Sequence, residues 1–389
     1  MALKLPKPPV PREEDFTSRL RGPELASRVG LLLGICFGVT FLTGVWSHLY
    51  QDQPSWLTLP TRPDWLYQVT QGLHVIAGTA AVPLLLVKLW SVFPKLFTAV
   101  PWRDIRQLAV HAAERGSIAI LVAAAIFQLA SGLANSAQWY PFSFSFRSTH
   151  FAIGWIAIGA LVLHIAVKLP KVRDALGRPI SSGEGDPSGA GESAGLSRRG
   201  LFRTAMVASA VAVLSVAGGT VPWLRKISVF SSHSGDGPAG VPINKSAKAA
   251  GVTASATDPA YVLTVANGDR SVSLSREELE QMPQHSAELP IACVEGWSAS
   301  GTWTGVRMRD LLDLVEVPAG TTVFVESVQE SGPYRSSEVR GNYADDPLTL
   351  VALRLNGEVL ALDHGYPCRL IAPNRPGVLQ TKWLGRIEA

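Results

Sequence analysis

A multi-domain membrane protein is the fold class this sequence predicts, with an N-terminal all-α transmembrane four-helix bundle plus one further span, then a C-terminal α+β domain. Three observations predict it. Of 389 residues, 47% are hydrophobic and only 17% charged, too apolar a balance for an ordinary soluble two-domain chain. Apolar runs before residue 224 approach the roughly 20 residues that cross a hydrocarbon core. From about Asp258 the pattern changes to short β-branched runs separated by short helical pieces.

The five predicted spans are about Gly30 to Tyr50, Gln71 to Phe93, Ser117 to Ala137, His150 to Val167 and Thr204 to Trp223. A net charge of +4 is no signal for nucleic acid, because the basic residues cluster at the ends of the apolar runs. They crowd the N-terminal arm (Lys4, Lys7, Arg12, Arg19, Arg21, Arg28), the second connection and the fourth. The first and third connections carry little beyond Arg62 and Arg147. By the positive-inside rule the N-terminus is cytoplasmic, and an odd number of crossings leaves everything after Trp223 outside the cell membrane. The alternative is four spans with the C-terminal domain inside.

Ser197-Arg198-Arg199-Gly200-Leu201-Phe202-Arg203, followed by a modest apolar stretch, resembles an internal twin-arginine export signal. That implies the twin-arginine export machinery as a partner and a domain folded, with its cofactor, before export. The Gly/Ser-rich stretch Ser181 to Gly195 has the composition of a flexible linker. The expected divisions are 1–175 transmembrane bundle, 176–200 cytoplasmic linker, 201–224 fifth span, 225–257 linker and 258–389 C-terminal α+β domain.

An imidazole in hydrocarbon is costly unless paired or bound to metal. His150 and His164 lie on one predicted helix, fourteen residues and roughly 21 Å apart, a separation that suits two stacked haems. The partner for His150 is His74, with His48 as the alternative, and the partner for His164 is His111. His74-Val75-Ile76-Ala77-Gly78 and His150-Phe151-Ala152-Ile153-Gly154 both set glycine one turn after histidine, leaving room for a porphyrin face. This region resembles membrane cytochromes of the b561 and bacterial haem b type, which implies one or two b-type haems.

In the α+β part the predicted strands are Tyr261 to Val265, Val272 to Leu274, Thr322 to Ser327 and Leu348 to Leu355, with helical pieces at Ser275 to Gln281 and Val306 to Val315. Cys293 stands between an apolar strand-like run and a Trp/Gly-rich turn, where a soft metal finds a thiolate. Cys368 lies in a buried-strand pattern and reads as a small apolar filler, so Cys293 is expected unpaired.

Cys293-Val294-Glu295-Gly296-Trp297-Ser298, Trp303-Thr304-Gly305-Val306, Tyr343-Ala344-Asp345-Asp346-Pro347, His364-Gly365-Tyr366-Pro367-Cys368-Arg369-Leu370 and Gln380-Thr381-Lys382-Trp383 occur in order. Together they resemble the molybdopterin-binding domain of the sulfite oxidase family, within it most closely the catalytic subunit of periplasmic methionine sulfoxide reductase. The resemblance implies molybdenum held by Cys293, the catalytic residue, with His364, Arg369 and Lys382 on the pterin and its phosphate. Ser327, Thr381 and Trp383 are weaker carry-overs. That reductase subunit works with a separate haem-containing membrane partner, whereas here a membrane cytochrome is read as fused in front.

The expected function is a membrane-anchored molybdenum oxidoreductase exchanging electrons between a small substrate, sulfite-like or an S- or N-oxide, and a membrane quinone through haem. The other class is a non-catalytic pterin-binding or sensory module on a membrane cytochrome.

Overall fold

The computed structural model describes residues 11–102, 104–182, 196–231, 237–332 and 334–389. Most of the expected cytoplasmic linker, and Lys4 and Lys7 of the arm, lie outside these residues. Among the described residues, five helices are long and apolar enough to cross a membrane: α1 (Pro23–Gln51), α2 (Leu66–Val92), α3 (Ile105–Ser136), α4 (Phe146–Leu176) and α5 (Arg198–Val216). The first four run past the predicted apolar limits, because a helix does not end where hydrophobicity ends. It ends at local signals: α1 begins with Pro23 at a position needing no amide donor, and α4 stops before Gly177. Apolar side chains such as Leu42, Leu86, Val162 and Val207 are exposed along these helices, as lipid-facing residues are.

The chain divides into two compact units, and α1 and α2 contribute to both. Unit 1 is Met1–Leu42, Ile76–Asn135 and Trp139–Val213. Its core gathers Leu25, Val29, Leu84, Ile180 and Ala205. The Arg28 guanidinium donates to the carbonyls of Ala175 and Leu176 at the end of α4 and of Arg178 just past it. Arg198, buried at the start of α5, faces Glu24 at 3.6 Å and donates to the carbonyls of Arg19, Arg21 and Ser182. A Cβ at Gly22 would fall 2.8 Å from Cζ of Arg198, so the guanidinium needs the glycine to pass. Arg199 beside it is exposed.

Unit 2 is Thr43–Val75, Ser136–Gln138 and Leu214–Ala389, and its body is two five-stranded sheets. The strands are β1 (Val262–Asn267), β2 (Arg270–Ser275), β3 (His285–Ala292), β4 (Ser298–Arg307), β5 (Val323–Ser327), β6 (Ser336–Val339), β7 (Leu350–Leu355), β8 (Glu358–Val359), β9 (Arg369–Ile371) and β10 (Leu384–Glu388). One sheet has the order β2-β1-β10-β5-β6, with β1 and β10 parallel; the other runs β3-β4-β7-β8, with β9 also on β7. Local chemistry sets the registers. Asn356 and Gly357, both at positive φ, form the two-residue turn of the β7–β8 hairpin. Ser275 and Glu278 make a reciprocal capping box that starts helix Arg276–Gln281.

The segment expected as a second linker is partly folded. Val241 is fully buried in the core under β3, β4 and β7, while Ala247, Val252 and Ala256 pack on Trp383. Small residues, two alanines with a valine, bury a narrow face, which hydropathy alone does not announce.

The connection between α1 and α2 is also part of unit 2. Tyr50, Leu59 and Tyr67 pack with Ala292 at the end of β3. Asn374 accepts from the backbone amide of Tyr67 at 2.7 Å and donates to Tyr50 Oη at 2.8 Å and the Pro60 carbonyl at 2.7 Å. Arg340 and Asn342 donate to the carbonyls of Gln53 and Leu59.

Candidate active site

Cys293 is placed by a hairpin. β3 and β4 pair through Ala292 and Ser298, and the five-residue turn between them closes by Gly296 N donating to Cys293 O (3.0 Å) and Cys293 N donating to Trp297 O (2.8 Å). Gly296 has φ +88°, a conformation that strains any side chain. The thiol is buried, and desolvation together with the neighbouring Glu295 carboxylate pushes it well above the ordinary cysteine range. Such a sulfur keeps its proton until a metal cation replaces it. Glu295 Oε2 lies 3.6 Å from Sγ and accepts from Trp297 Nε1 (3.0 Å) and from Gln138 Nε2 (2.7 Å).

The thiol stands in the wall of a cleft of about 180 Å³, which His364, Arg369, Thr381, Lys382 and Trp383 also line. The sequence had these residues far apart; β9, β10 and the short turns between them bring them together. Arg369 begins β9, is buried, lies over the Trp303 ring and donates to the carbonyls of His364 (3.0 Å) and Gln380 (3.1 Å). Burial pushes it down to about 9, still charged at neutral pH. Lys382 donates to Asn244 Oδ1 (3.1 Å) and the Asp363 carbonyl (3.0 Å), and burial, then Arg369, pushes it down to about 7. His364 Nε2 donates to the Pro238 carbonyl at 2.9 Å, and burial followed by the nearby Arg369 lowers it to about 4.

Among the described residues neither Arg369 nor Lys382 forms an ion pair with a carboxylate. Buried cations held only by neutral acceptors lower their cost when an anion arrives. A protonated buried thiol facing such cations fits a metal carried on an anionic pterin: the sulfur suits the metal, the cations suit the phosphate.

Three further placements differ from expectation or were missed. Ser327 does not line the cleft; its Oγ accepts from Gln329, which does. Asn244 and Lys245, from the segment read as a linker, line it as well. The polar pair just before Ser246, which caps helix Ala247–Ala250, was the signal. Glu295 and Gln138 had none. Cys368 is buried as expected, with Sγ 3.1 Å from Tyr261 Oη. The described residues contain no cluster of three or more His, Cys, Asp or Glu suited to a metal ion.

The candidate haem histidines lie on the apolar helices. In unit 2, His74 Nδ1 lies 3.1 Å from Thr43 Oγ1, and a Cβ at Gly44 would fall 3.2 Å from its Cε1. In unit 1, His150 Nδ1 lies 2.9 Å from Ser131 Oγ, and a Cβ at Gly132 would fall 3.7 Å from its Cε1. Each imidazole thus meets a hydroxyl-glycine pair on the preceding helix. His48 faces Asp52 at 3.4 Å one turn on, while His111 and His164 are half-buried on α3 and α4.

Residues 250–389 match the family described as oxidoreductase molybdopterin binding domain. The chain is similar to sulfite oxidase of Arabidopsis thaliana, 33% identical over 24% of this chain and 28% of that protein. It is also similar to mitochondrial sulfite oxidase of Rattus norvegicus, 27% identical over 32% and 27%, and to an NADPH nitrate reductase of Mycosarcoma maydis, 38% identical over 24% and 12%. The chain thus spans about a quarter or less of the length of these relatives. Its C-terminal part is a molybdopterin-binding oxidoreductase domain of the sulfite oxidase type, and the five apolar helices are consistent with a membrane-spanning N-terminal region.

Proposed function

We propose that this chain is a membrane-anchored molybdenum oxidoreductase that exchanges electrons between a small extracytoplasmic substrate, a sulfite-like anion or an S- or N-oxide, and a membrane quinone by way of b-type haem. The observation that carries it is the Cys293 thiol at the wall of a cleft whose buried Arg369 and half-buried Lys382 have no carboxylate partner among the described residues.

The bound molybdenum cofactor supplies two-electron oxygen-atom chemistry; the protein positions it. Cys293 gives up its proton and holds the metal. Arg369, Lys382 and His364 would hold the anionic pterin, with the backbone around Thr381 and Trp383 as further donors and acceptors. Glu295, hydrogen-bonded by Trp297 and Gln138, keeps a carboxylate beside the thiol.

For the haems we infer His74 and His150 as ligands, and His111 with His164 on one haem. A metal-ligating histidine is oriented by the partner of its other ring nitrogen, and Thr43 and Ser131 supply that partner for His74 and His150. In this reading the N-terminus is cytoplasmic, the membrane is the cell membrane, and the Ser197 to Arg203 segment directs export of the folded domain. The relationship to the periplasmic methionine sulfoxide reductase subunit belongs to the same proposal.

Metal analysis, pterin fluorescence and haem absorption of the purified full-length protein test it. Molybdenum, pterin and haem bands are all expected. Haem without molybdenum and pterin contradicts the assignment of the cleft.

A further inference from the structure

The turn Cys293–Trp297 is gripped by residues of the apolar helices. A Cβ at Gly296 would fall 2.6 Å from Cγ2 of Val75 on α2 and 3.4 Å from Oγ of Ser136 at the end of α3. Gly296 therefore packs its bare Cα against Val75, closer than any other residue type allows. Gln138, just beyond α3, holds Glu295 from the same turn. The chain after α5 closes the other side, where a Cβ at Gly219 would lie 3.7 Å from both Gly296 O and Trp297 Cβ. Gln68 Nε2 and Arg225 Nη2 donate to Oγ and O of Ser298, the next residue. Val75 is bonded directly to His74, and all these residues belong to unit 2.

A turn needed only to present a thiol to a cleft does not require a glycine in a strained conformation pressed on a valine beside a histidine. Electronic coupling falls steeply with every gap in a path, so a route of covalent bonds, one hydrogen bond and one tight contact carries electrons well. Such a route runs from Cys293 O to Gly296 N at 3.0 Å, from Gly296 Cα across to Val75, and along the peptide bond to His74.

We propose that the Cys293–Trp297 turn is the electron port of the molybdenum site, with Gly296 and Val75 forming its junction to the haem that His74 holds. The inference rests on the function proposed above. Each passage moves one electron and no atom: haem iron goes from ferrous to ferric as molybdenum drops one oxidation state, or the reverse. Two passages complete a two-electron turnover of substrate, and a quinone supplies or accepts the electrons at the far end.

The test is flash reduction of the haem in full-length protein loaded with both cofactors, following haem absorption and the Mo(V) paramagnetic signal. Val75→Ala opens a gap without touching the turn and is expected to slow transfer several-fold with molybdenum and haem contents unchanged; Gly296→Ala strains the turn at its positive φ and is expected to slow transfer at least as much in the molybdenum-loaded fraction. Wild-type rates in both fully loaded single variants overturn the proposal alone, provided the haem bands of the parent weaken in His74→Ala. A parent protein without haem bands overturns the proposal together with the haem reading beneath it.

Discussion

Arg62 grips Asp346 with two parallel hydrogen bonds, Nη1 to Oδ2 at 2.9 Å and Nη2 to Oδ1 at 2.8 Å, tying the connection between α1 and α2 to the loop before β7. Asp346 is buried whereas Arg62 is half exposed, so the pair has the geometry of a strong bridge with one wet end. Replacing Arg62 by Ala leaves a buried carboxylate with backbone partners only, a loss of about 1–2 kcal/mol once solvent screening is allowed for. The thermal midpoint read by tryptophan fluorescence is expected to fall by several degrees, and Arg62→Lys, which loses the fork geometry, to recover only part of it.

Arg369→Met removes a buried cation while keeping most of the volume. Loss of charged hydrogen bonds to an anionic ligand costs about 1.5–3 kcal/mol, or roughly 10- to 100-fold in affinity. Purified variant is expected to retain much less pterin and molybdenum than wild type by fluorescence and metal analysis, with haem absorption unchanged. Equal cofactor retention contradicts the role given to Arg369.

His364 makes stability depend on pH. Its folded value is lowered to about 4 against an ordinary 6.5, so between those values the unfolded chain takes up a proton that the folded chain refuses. Stability is therefore complete above about 6.5 and falls as pH drops toward 4, by at most about 3 kcal/mol. Melting of cofactor-free protein across this window is expected to show the slope, and His364→Gln to reduce it.

Arg198 and Arg199 separate export from architecture. Arg198 is buried against Glu24 and three carbonyls, while Arg199 is exposed. Arg198→Lys is expected to lower thermal stability in detergent, because an ammonium cannot satisfy the same acceptors, and Arg199→Lys to leave it unchanged. If the segment is an export signal, both variants leave the C-terminal domain protected from protease added outside the cell. Protease access unaltered in Arg199→Lys contradicts the signal reading.

Much of this was legible because hydrophobic runs and short motifs are local. All five apolar helices and the strands around Val262, Val272, Val323 and Leu350 follow from periodicity. Cys293, His364, Arg369, Thr381, Lys382 and Trp383, all on motifs readable in the sequence, line one cleft. What stayed hidden depends on distant pairing. β6, with the run Ser336–Val339, and β10, with Leu384–Glu388, carry weak patterns and are completed by β5 and β1. Arg62 was read only as a charge in a poorly basic connection, and its partner stands 284 positions away. Val75 looked like any apolar helix residue. Only its approach to a bare glycine gives it a role.

The central claim is that Cys293 holds molybdenum while His74 holds haem in the same chain. Paramagnetic and optical spectra of membranes containing wild type, Cys293→Ala and His74→Ala test it most directly. Cys293→Ala is expected to lose the Mo(V) signal and keep the haem bands, and His74→Ala to weaken the haem bands and keep Mo(V). Both signals persisting undiminished in both variants contradicts the account.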